Sequence, residues 1–373
     1  MGLFNSYLPL WLKDLGLGLL TISILTSMQA VTRLFAPYLW GWLSDHTGER
    51  VRFLRWGAAV ALLCACTLWL PMPAALLGVV LLLMFTHTSA MMPMSEAAMA
   101  HLVSQGGDFD ARRYGRVRLW GSLGFMLTVF VAGAWFEAQG MHGFATWTVL
   151  SLLVLWLSTL AMPDLKEAPH AQVQQERVWP VLQQSGVRWF FVAAFFHVLS
   201  HMGLYVFFSL YLDALGYSKT MIGVLWAVSV LVEIAWFFTQ SRWLPRLSLR
   251  AWIVLCSLTM VLRMGVTAVW ADVLWVLLLA QALHALTFAA HHTACVALLS
   301  HHFPGRMRGR GQALYTVIAY GVPGVLGGLV GGLISEHWGL QAVFWTMMLC
   351  AVAASVAGWR MWRLAHPSTP LDT

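Results

Sequence analysis

Charged residues are scarce in this sequence. Asp, Glu, Lys and Arg make up 10% of its 373 residues, whereas 60% are apolar and the mean hydropathy is +0.72. An ordinary soluble domain has roughly 25% charged residues, which it needs to cover its surface. A bilayer, in contrast, accepts apolar surface without cost. The composition therefore excludes a soluble enzyme and predicts an integral membrane protein.

Cysteine is also sparse, and several functional motifs are missing. The five cysteines all fall inside apolar stretches, which excludes a disulfide framework and suggests no zinc ligand set. No basic segment precedes the apolar residues that start at Leu3, so we expect no cleavable signal peptide. The sequence has no phosphate-binding loop and no nucleophile–base set, which excludes an ATP-driven pump and argues against an enzyme. We expect no cofactor and no metal site.

The chain carries a formal net charge of +7, but the basic residues are spread between apolar runs instead of forming one solvated patch. Nucleic-acid binding needs such a patch, so we expect none. The runs predict an all-α bundle of about twelve membrane-spanning helices, because a span needs about 20 residues and the chain offers about 31 per helix. The predicted spans are residues 1–12, 19–43, 53–70, 74–102, 117–136, 144–162, 189–212, 219–241, 252–270, 273–300, 312–334 and 342–364.

A polar stretch divides the predicted spans into six and six. We predict an N-terminal half over residues 1–163, a linker over 164–187, a C-terminal half over 188–364 and a tail over 365–373. The loops and termini at one end of the bundle, here called the arginine-rich end, carry eighteen basic residues, whereas the other end carries only Lys13 and Lys219 and is called the lysine end. By the positive-inside rule, the arginine-rich end, the linker and both termini face the cytoplasm of a bacterial-type inner membrane.

The two halves share a weak internal repeat. A shift of 200 residues places six residues of the first half on identical residues of the second, and such paired six-span halves occur in secondary transporters. The first span is short, because twelve helical residues reach only about 18 Å across a core of about 30 Å. We expect it to be truncated. The matching pairs are Leu10 and Leu210, Leu12 and Leu212, Leu15 and Leu215, Gly16 and Gly216, Ile22 and Ile222, and Arg50 and Arg250.

Four ionisable residues fall near the middle of four different spans: Arg33, Glu233, Arg263 and His284. Such a group costs at least about 2.5–3.5 kcal/mol at the bilayer centre, so it marks a transport pathway or a partner. One interpretation is a central site in which Arg263 captures or releases a protonatable Glu233, with His284 as a proton relay or hydrogen-bond partner. The alternative is a static ion pair that joins helices, with His284 as an ordinary core residue.

Two further groups belong to the predicted site. Glu96 and Arg118 match in depth on the fourth and fifth spans, so they predict either a pair that binds a substrate carboxylate or a simple tie between helices. Trp226 and Trp236 share a helical face with Glu233, which suits a flat apolar substrate, although coincidence is a rival in a chain with 21 tryptophans.

The segment GWLSDHTGER at residues 41–50 contains Gly41, Asp45, Gly48 and Arg50 between the second and third spans. It resembles the signature loop of the major facilitator superfamily and departs from it at His46. The resemblance implies a conformational latch; a charged tight turn is the alternative. A second set resembles the phenylpropionate permease subgroup, which is related to lactose permease and other proton symporters. This set comprises YGRVRLWGS at residues 114–122, LGYS at 215–218, Leu225, Trp226, Glu233, Arg263, Leu283 and His284.

This resemblance implies the major facilitator fold and proton-coupled uptake by alternating access. It places Arg118, Glu233, Arg263 and His284 at positions that match the family's substrate and proton residues. One departure matters: lactose permease has a carboxylate three residues after the histidine, where this chain has Thr287. The proton step therefore does not carry over unchanged.

We expect a monomeric symporter whose partners are the bilayer, protons and a small organic solute, driven by the proton gradient. An aromatic monocarboxylate is favoured, because the buried arginines Arg33, Arg118 and Arg263 outnumber the two buried acids. The rivals are a sugar or nucleoside symporter, a drug/proton antiporter, and a membrane enzyme or receptor. The antiporter is disfavoured because the fifth span lacks the Gly-Pro motif of exporters.

Overall fold

The structure, a computed structural model, describes residues 2–89, 91, 94–95, 111–163, 178–303 and 307–364; the side chains of residues 45, 111–119, 308 and 309 lie outside that description. Within these ranges the chain is almost entirely helical and has no strand. Glu96 and the tail over 365–373 lie outside the described residues, as does most of the linker predicted over 164–187.

Twelve apolar helices follow one another through the described part of the chain. Ten of them are long and apolar enough to cross a membrane, and the first and fourth are shorter. The predicted class, an all-α membrane bundle, is confirmed. In chain order the helices are α1 (Gly2–Asp14), α2 (Leu19–Thr47), α3 (Arg50–Cys66), α4 (Ala74–Thr88), α5 (Ala111–Gln139), α6 (Phe144–Leu160), α7 (Ser185–Ala214), α8 (Lys219–Trp243), α9 (Leu249–Trp270), α10 (Leu274–His302), α11 (Arg310–Trp338) and α12 (Leu340–Arg363).

The seventh long helix begins slightly earlier than the predicted span. Helix α7 begins at Ser185, whereas the span was predicted from residue 189, and a short helix, Trp179–Gln183, precedes it. Pro180 is the second residue of that short helix, where its missing N–H costs no hydrogen bond. The predicted fourth span reaches residue 102, but only Ala74–Thr88 is a described helix of that span.

The 200-residue repeat is present in the backbone. Gly16 and Gly216 both have positive φ, 81° and 85°, and end the first helix of each half. Each N–H donates to the carbonyl three residues earlier, on Lys13 and Asp213 respectively. Glycine suits this left-handed conformation because it has no Cβ to clash. The same turn therefore opens both halves at the lysine end.

Packing differs between the two ends of the bundle. At the lysine end, one buried apolar cluster combines residues of both halves, for example Tyr7 and Ile22 with Phe207 and Ile222. Toward the arginine-rich end, each half has its own buried cluster. The cluster of the C-terminal half includes Phe190, and that of the N-terminal half includes Leu54 and Ala58. The described halves thus share a core at the lysine end and have separate cores toward the other end.

A stripe of glycines brings α2 and α11 together across the two halves. A Cβ added at Gly328 would overlap Ser27 Oγ, and one added at Gly332 would overlap Ser23 Oγ. Only glycine allows such a close backbone approach in a membrane bundle. The structure therefore agrees with the packing role that the small-residue spacing of this helix suggests.

Charged and polar contacts also join the halves at the lysine end. Lys13 Nζ lies 2.6 Å from Asp213 Oδ2, and these two residues are repeat mates 200 positions apart. The Tyr7 hydroxyl donates to Val129 O at 2.6 Å, and the Lys219 N–H donates to the Glu137 carboxylate at 2.5 Å. These contacts tie α1, α5, α7 and α8 together at that end.

Candidate functional site

The buried Arg263 on α9 organises a polar cluster at the depth where the shared core ends. Its side chain is 1% exposed. One terminal nitrogen donates to His284 Nδ1 at 3.1 Å and to Thr287 Oγ1 at 2.8 Å, and the other donates to Gln281 Oε1 at 2.8 Å. We call Arg263, Gln281, His284, Thr287 and Glu233 the polar layer.

Glu233 joins this layer through His284. The His284 Nε2 atom lies 3.4 Å from Glu233 Oε2, and the Glu233 side chain is 19% exposed. A guanidinium can only donate, so His284 Nδ1 must present its lone pair and Nε2 must carry the hydrogen. A neutral His284 therefore donates toward the Glu233 carboxylate while it accepts from Arg263. The predicted Glu233–Arg263 pair is bridged by an imidazole instead of being in direct contact.

A widened helical turn shapes the α10 side of the layer. Residues Ala285–Ala290 form a π-helical turn, and such turns often occur at functional sites. The carbonyl of Thr287 in this turn accepts a hydrogen bond from His197 Nε2 at 2.7 Å, and Ser257 Oγ lies 3.3 Å from His197 Nδ1. His197 also stacks on His291 with 3.6 Å between ring centroids. Thus His197 on α7 holds the backbone of the residue whose hydroxyl binds Arg263.

Ring side chains line the α7 side of the layer. His201 lies 5.5 Å from the His284 ring and 5.2 Å from the Tyr205 ring, centroid to centroid. Tyr205 stacks on Trp226, whose indole N–H donates to Ser209 Oγ at 3.1 Å. The structure therefore connects Trp226 to the polar layer through Tyr205.

Trp236, the second tryptophan predicted to line the site, packs away from the polar layer. Its ring packs edge to face against Trp252, with 5.4 Å between centroids, inside the separate core of the C-terminal half. It shares a helix with Glu233, but its described contacts are in that core.

Arg33 approaches the layer from the N-terminal half. It lies within electrostatic range of Tyr205 on α7 and Tyr320 on α11, and both tyrosines are also within range of Glu233. Arg33 and Glu233, which belong to different halves, thus both interact electrostatically with the same two tyrosines, and their role in transport stays a prediction. The side chain of Arg118 lies outside the described residues, as does Glu96, so their predicted pairing stays a prediction.

The loop motif forms a tighter turn than expected. Helix α2 continues to Thr47, and Gly48, with a φ of 69°, ends it by donating its N–H to Ser44 O at 2.8 Å. Gly41 and Asp45 therefore lie inside α2 and not in the loop, because no residue before Gly48 stops the helix. Arg50 begins α3. The Asp45 side chain is outside the description, so the latch role stays a prediction.

Sequence reasoning missed several residues of the site. Gln281, His197, His201, Tyr205 and Tyr320 are all buried or partly buried polar groups in apolar helices. The four-residue spacing of His197 and His201 is the one signal that could have identified a shared face. Gln281 and the tyrosines have no spacing signal, because single polar residues are common in helical membrane segments.

Comparison with known proteins places the chain in a family. The model of the MFS_1 like family matches residues 1–346. The chain belongs to this family. Its relatives are transporters, and the predicted major facilitator resemblance is confirmed. The match covers nearly the whole described bundle.

Two curated proteins of this family type are similar over most of their length. The probable 3-phenylpropionic acid transporter of Escherichia coli (strain K12) is 27% identical over 358 residues, which cover 95% of this chain and 92% of that protein. The maltose permease of Geobacillus stearothermophilus is 25% identical over 336 residues, 89% of this chain and 83% of that protein.

Solved structures share the fold. The crystal structure of the nucleoside transporter NupG superposes with a TM-score of 0.82 at 15% identity, covering 97% of this chain and 96% of that one. A mutant of the peptide transporter POT gives a TM-score of 0.73 at 12% identity, covering 98% and 92%. The protein is therefore a multi-pass membrane transporter of major facilitator architecture.

Proposed function

We propose that this transporter imports a small monocarboxylic acid, preferably an aromatic one, together with a proton. The observation that carries the proposal is the buried series Glu233–His284–Arg263, at the depth where the core shared by both halves ends. A carboxylate that can take up a proton is coupled there, through one imidazole, to a buried positive charge. Coupling means that the proton and the solute each change the binding free energy of the other, and this series of contacts can carry that effect.

The proton step follows from the hydrogen-bond directions. While Glu233 is ionised, its charge attracts the His284 N–H and, one ring further, the Arg263 guanidinium. A proton on Glu233 removes that negative charge, so no charged carboxylate among the described residues then balances the two central arginines, Arg33 and Arg263. A solute carboxylate restores the balance in the same space. Proton and acid therefore favour each other's binding.

The aromatic preference rests on the surroundings and on similarity. The stacked rings of Tyr205 and Trp226 beside the layer offer a flat apolar wall. The similar protein from E. coli is named as a probable 3-phenylpropionic acid transporter. Both observations favour a solute that combines a ring with a carboxylate.

A second candidate is a neutral hydroxylated solute such as a sugar or nucleoside. His201 Nε2 and Gln281 Nε2 are buried and have no hydrogen-bond partner among the described residues. Such groups could bind hydroxyl oxygens, and a maltose permease is among the similar proteins. This candidate does not use the charge of Arg33, which has no carboxylate partner among the described residues, so we rank it second.

Solute-induced pH change tests the proposal. Lightly buffered cells that express the protein receive 3-phenylpropionate, maltose or uridine while the external pH is recorded. Cells without the protein set the background, because undissociated acid also crosses a bilayer. Of the three solutes, we expect only 3-phenylpropionate to alkalinise the medium faster than the background. This effect should be lost in Glu233→Gln, because the glutamine side chain cannot take up the proton. The exposed Glu336→Gln is the matched control.

Two results would contradict the proposal. Alkalinisation with maltose or uridine but not with the acid would favour the neutral solute. Protein-dependent flux of labelled 3-phenylpropionate with no pH change would remove proton coupling and leave Glu233 and His284 as a structural contact.

A further inference from the structure

Two arginines lie at the middle of the bundle in very different surroundings. Arg263 is 1% exposed, and its terminal nitrogens donate to three acceptors within the protein. Arg33 is only partly buried, and among the described residues its guanidinium has no hydrogen-bond acceptor and no carboxylate partner. The five donors of Arg33 are therefore available, whereas most of those of Arg263 are in use.

The neighbours of Arg33 place it at the interface of the two halves. The neighbouring residues on α2 pack closely against glycines of α11. A Cβ added at Gly324 would overlap the Ala30 side chain, one turn before Arg33, and a Cβ added at Gly321 would overlap the Leu34 side chain. Gly321 is the last residue of the π-helical turn of α11, and Gly324 lies three residues after it. Arg33 thus lies against α11, within electrostatic range of Tyr205 and Tyr320.

A guanidinium at this depth is costly, and one without an acceptor among the described residues by default marks a functional contact. A carboxylate is the best partner, because its two oxygens match the planar fork of arginine in a bidentate pair. Tyr205, in range of the same guanidinium, also stacks on Trp226. A ligand that binds Arg33 through a carboxylate can therefore place an attached ring near this aromatic wall.

We infer that Arg33, and not Arg263, binds the carboxylate of the transported acid, while Arg263 serves the proton-binding Glu233–His284 pair. This inference rests on the proposed function, whose solute it orients: carboxylate toward the N-terminal half and ring toward Tyr205. It differs from the sequence expectation, which grouped both arginines with the solute and the proton.

Equilibrium binding to the purified protein tests the assignment. Labelled 3-phenylpropionate and its uncharged amide, 3-phenylpropionamide, are bound to the wild type, Arg33→Gln, Arg33→Lys and the control Arg246→Gln. Arg246 lies at the arginine-rich end, over the ring of Trp243. The substitution Arg246→Gln therefore removes the same charge at a position away from the site. The amide reports whether each variant still has a folded site.

We expect Arg33→Gln to lose at least about tenfold in affinity for the acid, the typical effect of removing a charged hydrogen-bond partner, and less than about threefold for the amide. Arg33→Lys should fall between, because a lysine keeps the charge but not the bidentate fork. Arg246→Gln should bind both compounds like the wild type.

The possible outcomes distinguish a failure of the Arg33 assignment from a failure of the proposed function. Unchanged acid affinity in Arg33→Gln, beside a wild type that binds the acid, overturns the Arg33 assignment and leaves the proposed function standing. Equal losses for acid and amide also overturn it, because Arg33 would then act through the fold and not on the carboxylate. A wild type that binds neither 3-phenylpropionate nor a panel of other carboxylates overturns both.

Discussion

Thr287 is held at two atoms by two different helices. Its hydroxyl accepts from Arg263 on α9, and its carbonyl accepts from His197 on α7. The sequence resemblance to lactose permease leads one to expect a carboxylate at this position, so the neutral Thr287 lowers the negative charge beside Arg263. On the proposed function, Glu233 then remains as the carboxylate that takes up the proton in the described layer.

Replacing His197 with Phe should weaken this arrangement. A phenyl ring can keep the stack on His291, but it leaves Thr287 O and the Ser257 hydroxyl without their partner. We expect a loss of about 1–3 kcal/mol in stability, the cost of unsatisfied buried polar groups, and slower proton-coupled uptake. Thermal unfolding in detergent and initial uptake rates measure the two effects.

The matched control is His337→Phe, since His337 is exposed near the end of α11. An unfolding midpoint and uptake rate for His197→Phe equal to those of His337→Phe would show that the His197 contact does not position Thr287.

The sequence predicts well which ionisable residues lie inside the membrane spans, but it predicts their hydrogen-bond partners poorly. Arg33, Glu233, Arg263 and His284 stand out because ionisable groups are rare in spans. The imidazole between Glu233 and Arg263, and the acceptor role of Gln281, depend on side-chain directions that spacing on separate helices does not fix.

Three of the described helices of the C-terminal half contain a π-helical turn. They occur in α7 at Gly203–Phe207, in α10 at Ala285–Ala290 and in α11 at Thr316–Gly321. Each lies near a residue of the site: Tyr205, Thr287 or Tyr320. A wider turn alters the hydrogen-bond ladder and re-aims side chains, so these turns help to direct polar groups inward. Apolar periodicity does not reveal such turns, which is one reason why the site was only partly predictable.

The α2–α11 contact offers a test at the scale of helices. Gly328→Ala would place a methyl group on Ser27 Oγ and push the helices apart. We expect about 1–3 kcal/mol of destabilisation, as for other overpacked sites, measured by denaturant or thermal unfolding in detergent.

A second substitution makes this prediction sharper. Ser27→Gly removes the overlapping hydroxyl, so the double variant should recover most of the lost stability. Gly124→Ala is the control, because nothing lies within 4 Å of a Cβ at that position. Equal stability of Gly328→Ala and Gly124→Ala would contradict the close packing described here.

The elements themselves were largely predictable. Long apolar runs determine where the helices lie, and the predicted start of α2 at residue 19 and of α8 at 219 match the structure. Helix ends were less accurate, as at α2, which continues to Thr47 because its first effective stop is Gly48. Hydropathy alone does not register such a stop.

At the scale of the whole molecule, the two halves are joined at one end. Three kinds of contact join the halves toward the lysine end of the bundle. They are the shared apolar core, the glycine stripe between α2 and α11, and the Lys13–Asp213 pair. Lys13 is 46% exposed and Asp213 21%, so the pair contributes modestly and can be broken at small cost. Opening at the lysine end would require these contacts to separate together.

On the proposed function, the charge at the centre gives a reason for the acid and the proton to move together. The charged side chains described there are Arg33, Arg263 and Glu233, two positive and one negative when Glu233 is ionised. Binding one carboxylate and one proton leaves this net charge unchanged, whereas either one alone changes it. A change of buried charge is costly inside a membrane, so the empty and fully loaded states are the two that can reorient most readily.

Accumulation of labelled 3-phenylpropionate in proteoliposomes under an imposed pH gradient, acid outside, tests whether the protein imports the acid together with a proton. Protein-free liposomes give the passive background, and Glu336→Gln gives the control for charge removal. We expect the wild type to accumulate the acid faster than background and Glu233→Gln to fall to background. Glu233→Gln should still exchange labelled for unlabelled acid without a gradient. Gradient-driven accumulation by Glu233→Gln at the wild-type rate would contradict this expectation.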